Sequence, residues 1–168
     1  MRMPARVIFA AGISALLLVA AFVPAASAGP PSGRYQPGVL ASFPAGLVCP
    51  AAVGDVTANY LSGNWSLVGK SDGRLFQGMG TGWFEVSGSK TGKAVVLQVS
   101  GVSIYSADGN ELTSAGKALW AFFPGDAGPG NQSVGRVLYF VGTQTTDWLA
   151  GTFTYSGRLL GNICDQLI

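Results

Sequence analysis

Glu85 and Asp147 are the two carboxylates of this chain best placed to do chemistry, because both stand away from obvious turn centres. Two acids facing each other across a cleft, ~5 to 9.5 Å apart, are what glycoside hydrolysis needs. Their competing reading is as solvated charges at a strand edge and in a loop. The rest of the inventory narrows the chemistry. Histidine is absent, which removes Ser-His-Asp and Cys-His nucleophile activation, the commonest general base and imidazole zinc sites. Neither a G-x-x-x-x-G-K-[ST] loop nor a G-x-G-x-x-G turn ahead of a helix occurs, so no phosphate cradle is expected. Asp126 and Asn131 bring two oxygen ligands to the Pro124–Asn131 loop, far short of the six to eight that calcium takes. That loop reads as a long β-connection, or as the presenting loop of an inhibitor or interaction module. No catalytic residue, metal or cofactor is assigned.

Aromatic side chains offer the other prospect. Trp65, Trp83, Trp120 and Trp148, with Tyr105, Tyr139 and Tyr155, supply faces for sugar stacking or walls for an apolar pocket. Of these, Trp83, Trp120, Trp148 and Tyr139 form the candidate ligand-binding set, for an apolar or carbohydrate ligand. The alternative is core packing, since aromatics bury large areas and suit strands.

The elements that must position these residues are bounded first by the chain's start and its cysteines. Arg2 and Arg6, an apolar run from Val7 to Val23 and the small residues Ala26-Ser27-Ala28 follow the order of a cleavable signal peptide. The run is interrupted by Gly12 and Ser14 and falls short of the ~18 to 20 residues of a spanning helix. Residues 1–28 are therefore expected to be a signal, 29–38 a flexible lead-in rich in Pro and Gly, and 39–168 one domain. The mature chain is expected to be secreted and to carry no membrane span. Without Arg2 and Arg6, eight basic residues face eight acids, so neither a nucleic-acid stripe nor an acidic tail is present. Cys49 and Cys164 are the two cysteines. In an oxidising compartment they are expected to pair, and no C-x-x-C or charge cluster makes either reactive. The bridge closes nearly the whole domain into one loop, which the chain-entropy model puts at roughly 4 to 5 kcal/mol.

From Val39 onward no window carries a helical period. Short apolar runs are instead broken by turn residues: Ser71-Asp72-Gly73-Arg74, Lys90-Thr91-Gly92-Lys93 and Ala107-Asp108-Gly109-Asn110 each read as a hairpin connection. Strands are expected near Val48–Val53, Trp65–Lys70, Arg74–Met79, Gly82–Ser87, Lys93–Ser100, Val102–Ser106, Glu111–Phe123, Val134–Gly142 and Trp148–Tyr155. The fold class is thus all-β, a single antiparallel barrel or barrel-like sandwich of about eight to nine strands. Gly78, Gly80 and Gly82 alternate along a strand, as at a bend or barrel corner. Asp72-Gly73 precedes Gly80 by the same spacing that separates Asp108-Gly109 from Gly116, a faint repeat that the grammar of a meander explains. Two-sided apolarity is marked in Lys93–Ser100, Ala118–Phe123 and Val137–Val141. It calls for a barrel interior with a covered exterior, an oligomer interface, or a surface that meets lipid or wall polymer.

Phe43-Pro44-Ala45-Gly46 ahead of Cys49, Asp72-Gly73-Arg74, Gly80-Thr81-Gly82, Thr91-Gly92-Lys93, Asp108-Gly109, Phe123-Pro124-Gly125 and Cys164-Asp165-Gln166-Leu167, taken in order, resemble a group of small secreted actinobacterial β-rich proteins that carry no assigned activity. Where that group commonly has an acid two residues before the last cysteine, this chain has Asn162. The resemblance implies an extracellular β domain and supplies no catalytic residue. The functional expectation is a secreted, non-enzymatic binding or envelope-associated domain of unknown ligand and partner. A hydrolase built on Glu85 and Asp147 and an inhibitor or interaction module are the alternatives.

Overall fold

The computed structural model describes residues 33–69 and 75–168. The expected signal segment and the Asp72-Gly73 turn lie outside those residues. Among the described residues nine strands run β1 (Gly33–Arg34), β2 (Gly38–Phe43), β3 (Val56–Gly63), β4 (Ser66–Gly69), β5 (Leu75–Gly88), β6 (Ala94–Tyr105), β7 (Glu111–Phe122), β8 (Arg136–Asp147) and β9 (Thr152–Asn162), followed by a short helix α1 (Ile163–Leu167). Every pairing is antiparallel. β3 and β4 both pair with β5, one on each half of its length, and β1 and β2 pair with β4 and β3 in turn. The result is a meander whose first and last strands do not meet, so the sheet is not closed.

A row of glycines in register crosses this sheet: Gly80 opposite Gly101, Gly101 opposite Gly116, Gly116 opposite Gly142 and Gly142 opposite Gly157. All five have positive φ, between 124 and 145°, a region that residues with a Cβ rarely enter. At Gly101 a Cβ would lie 1.9 Å from the Ala115 carbonyl oxygen, and at Gly116 one would lie 2.1 Å from that of Ser100. The missing side chains thus point within the sheet toward the neighbouring strand, and a sheet built this way can turn a corner. It does so. Phe153 is paired with Thr146 and Phe122 with Arg136, positions roughly 33 Å apart along a straight β8. Their rings nevertheless sit 4.9 Å apart, edge to face, and Phe153 is 5.5 Å from Trp120. The halves of β7, β8 and β9 on either side of the glycines therefore fold toward each other and enclose Leu112, Trp120, Phe122, Leu138 and Phe140.

The sheet also forks. β6 and β7 are paired from Tyr105–Leu112 only as far as Ser100–Lys117. Beyond that point Ala94–Val99 stays with β5 and Ala118–Phe122 stays with β8. The two flaps face each other across a second apolar cluster, with Phe84, Val86 and Val99 on one side and Leu119, Ala121 and Val137 on the other. α1 packs against β5, β6 and β8, and its buried Ile163, Cys164 and Leu167 join Val48, Cys49 and Val53 from the β2–β3 connection in that cluster. Cys49 and Cys164 are bonded, 115 residues apart in sequence, which ties the connection to the helix. Asn162 caps α1 by accepting the Cys164 amide at 3.2 Å, the N-cap role that an acid would also fill.

Two-sided apolarity in β7 and β8 thus has an internal cause. One face packs between the flaps, and the other is covered by the sheet's own folded-over half. β6 differs, because Val95, Leu97 and Val99 pack inward while Val96 is 52% exposed. Several expected elements need correction. The lead-in expected over 29–38 is already sheet at Gly33–Arg34, anchored by Tyr35, whose amide donates to Trp65 O at 3.0 Å and whose ring packs 5.9 Å from that of Tyr60. Val48–Val53 is no strand but a turn-rich connection held by the disulfide.

Candidate functional site

A pocket of about 70 Å³ opens at the fork between β6 and β7. Its deep walls are the buried Phe84, Val99, Leu112, Leu119 and Trp120, and its rim includes Tyr35, Trp65 and Lys117. Local sequence explains the space. Gly78 and Gly101 put no side chain into it, and a Cβ on Gly78 would lie 3.3 Å from Trp65 Nε1, so the glycine lets the indole lie against β5. Further along β5 the same device recurs at Gly82, where a Cβ would lie 2.6 Å from the Tyr60 ring.

The polar groups around the pocket are few. Ser103 and Ser114 face each other across β6 and β7, their hydroxyls sharing a hydrogen bond of 2.8 Å. Only one of the two hydrogens is needed for that bond, so the pair keeps a second donor. Trp120 is 4% exposed, and its Nε1–H has no acceptor. A buried donor left in this state costs about 1 to 3 kcal/mol. Behind the pocket wall, Gln144, 1% exposed, has both amide atoms without partners; it is the cross-strand neighbour of Ser114. Burial pushes the Tyr105 hydroxyl far above the usual phenol range, with Tyr35 adding to the shift, and burial also raises Tyr35. Both phenols line the pocket and remain neutral donors at physiological pH. Among the described residues Lys117 supplies the only charge in the lining.

The four expected ligand-binding residues do not come together. Trp120 lines the pocket. Trp148 stands one ring behind it, stacked 6.1 Å from Tyr105 with an interplanar angle of 21°. Tyr139 packs on the other apolar cluster and donates its hydroxyl to Gln98 O. Trp83 is 45% exposed, paired with Gln98 on a stretch of β5 outside the pocket. The sequence reading left Tyr35, Ser103, Ser114 and Lys117 unmarked. Their signal was Gly101, whose lack of a side chain opens the strand on which Ser103 lies, but a glycine there reads equally well as a turn.

Glu85 and Asp147 do not form a carboxylate pair. Glu85 lies on β5 opposite Val96, and Asp147 closes β8 opposite Glu111, on the other side of the glycine row. Each carboxylate has a local partner: Glu85 accepts from Asn59 Nδ2 at 3.2 Å, and Asp147 accepts the Ala150 amide at 2.8 Å in its own turn. The Pro124–Asn131 loop is arranged around a cation already in the chain. Arg136, 2% exposed, donates to the carbonyl oxygens of Asp126, Pro129, Asn131 and Val134 at 2.8 to 3.3 Å and lies 4.9 Å over the Phe122 ring. Asp126 accepts the Phe123 amide, and Asn131 accepts from Ser133. Among the described residues no group of three or more Cys, Asp and Glu is gathered for a metal, and no helix is long and apolar enough to cross a membrane. Comparison with protein-family models, with curated proteins and with solved structures finds no match to this chain.

Proposed function

We propose that the chain is an exported, barrel-like β-sandwich that binds a small, mostly apolar molecule at the β6–β7 fork and catalyses no reaction. The observation that carries this reading is the apolar pocket at the fork, whose lining residues include Trp120 with its buried, unpartnered indole N–H. Burying a donor without an acceptor is unfavourable, and a ligand that brings an acceptor atom into an apolar cleft removes that cost. The Ser103–Ser114 hydroxyl pair offers a second donor on the same wall. Pockets of this kind, apolar with a few placed polar groups, are the usual form of a small-molecule site. The volume, about 70 Å³, is below the ~150 Å³ that takes up benzene, and so favours a slender chain over a ring. Export is supported by the leader-like start of the sequence and by the Cys49–Cys164 bond. A place among small secreted actinobacterial proteins is part of this proposal and rests on the motif series alone.

The test is a tryptophan-fluorescence titration of the protein with 2-nonanone and, separately, with cellohexaose. A saturable change with the ketone, lost in Ala118→Phe, which fills the pocket from β7, supports the reading. Saturation by the oligosaccharide alone replaces it with a carbohydrate-binding role on the exposed Trp83 side.

A further inference from the structure

We infer that the ligand of the fork pocket is a monoanionic amphiphile, a carboxylate on a slender alkyl chain, with its head at Lys117 and its chain directed toward Trp120. This rests on the binding function just proposed and specifies the ligand class for that same pocket. Three observations lead to it. Lys117 is a lining residue, half-buried at the last β6–β7 pair before the fork. Its side chain makes no hydrogen bond and no ion pair, and among the described residues no Asp or Glu lines the pocket. A lysine whose stem covers apolar wall while its ammonium lacks a counter-ion presents one positive charge at the mouth of an otherwise neutral cleft. The phenols of Tyr35 and Tyr105 remain protonated because burial raises them, so they add donors and no competing negative charge.

The charge count selects the head. One ammonium balances one negative charge; a dianion such as a phosphate monoester would enter the cleft half-neutralised. The wall selects the tail. Besides Lys117 the lining includes Val99, Ala118, Leu119 and Trp120, which give methylene groups apolar contacts.

Octanoate and methyl octanoate test the assignment, since they share chain and carbonyl and differ in charge. Both are titrated into the full mature protein at low ionic strength, below the onset of aggregation, and followed by calorimetry. Wild type is expected to bind octanoate roughly fivefold or more tightly than the ester. Lys117→Met, which keeps the stem, should remove that preference. Lys117→Glu should turn the preference toward octylammonium. Equal affinity for acid and ester in wild type, or a preference for the acid that survives Lys117→Met, overturns the inference and leaves the binding function standing. If neither compound binds, and 2-nonanone does not either, the binding function itself fails and takes this inference with it.

Discussion

Tyr139 donates its hydroxyl to the carbonyl of Gln98, 41 residues away in sequence and on the opposite flap of the fork. Gln98 lies two residues beyond Ser100, the last β6 position paired with β7, so where the two strands have parted the phenol links the flaps. Tyr139→Phe keeps the ring and removes this bond. It should lower stability by about 1 to 2 kcal/mol, the cost of a part-buried carbonyl left unmet. Urea unfolding with unchanged m would register the loss, and a midpoint equal to wild type would refute the bridge.

Alkaline pH should act on the same contact. Burial raises the phenols of Tyr139, Tyr105 and Tyr35 above the unfolded value of 10.0. A raised folded-state value means that the native state holds its proton more tightly, so the associated stability is complete below pH ~10 and is lost as pH rises from there through the raised values. Urea midpoints measured between pH 8 and 12 should be level at first and then fall. Absorbance titration should show these phenols ionising late or together with unfolding. Tyr35, Tyr105 and Tyr139 all ionising at the unfolded value with the fold intact would contradict it.

Arg136 organises the Pro124–Asn131 loop by donating to four backbone carbonyls. Arg136→Met leaves those carbonyls unmet and is expected to destabilise by roughly 3 to 5 kcal/mol. Arg136→Lys should recover little, because an ammonium lacks the planar fork of donors. Thermal unfolding of both variants decides this, and near-wild-type melting of the lysine variant would show that charge alone suffices.

The corner is the least forgiving part of the chain. A Cβ at Gly116 would lie 2.1 Å from Ser100 O, whereas one at Gly109, in the β6–β7 turn, meets nothing within 4 Å. Gly116→Ala should cost about 3 kcal/mol or more, and Gly109→Ala about 1 to 2 kcal/mol for its left-handed backbone. Equal losses in the two variants would mean that the glycine row is not a packing constraint.

That row also explains what the sequence concealed. Hairpin chemistry at Lys90–Lys93 and Ala107–Asn110 was legible because the turn residues act locally, and β7 was found nearly whole. β5 and β6, by contrast, each read as two strands, because Gly80 and Gly101 break an apolar run in the way a turn does; only cross-strand register reveals them as extended backbone with positive φ. The equal spacing from Gly73 to Gly80 and from Gly109 to Gly116 was the trace of this alignment. β3 went unseen because Val56–Gly63 mixes Thr, Asn and Ser with its apolar residues, and α1 because five residues are too few for a helical period. Cys49–Cys164 followed from count and compartment. The pocket was half legible: Trp120 was marked by residue type, but Lys117 joins it only through the fork, a consequence of where two strands cease to pair.

The central claim, that the fork pocket is a binding site built around Trp120, is tested most directly by the indole N–H resonances in a ¹H–¹⁵N spectrum during titration with octanoate. The account predicts that the Trp120 signal shifts progressively and saturates, while the exposed Trp83 signal stays in place. Movement confined to Trp83, or no movement at all up to millimolar ligand, would contradict it.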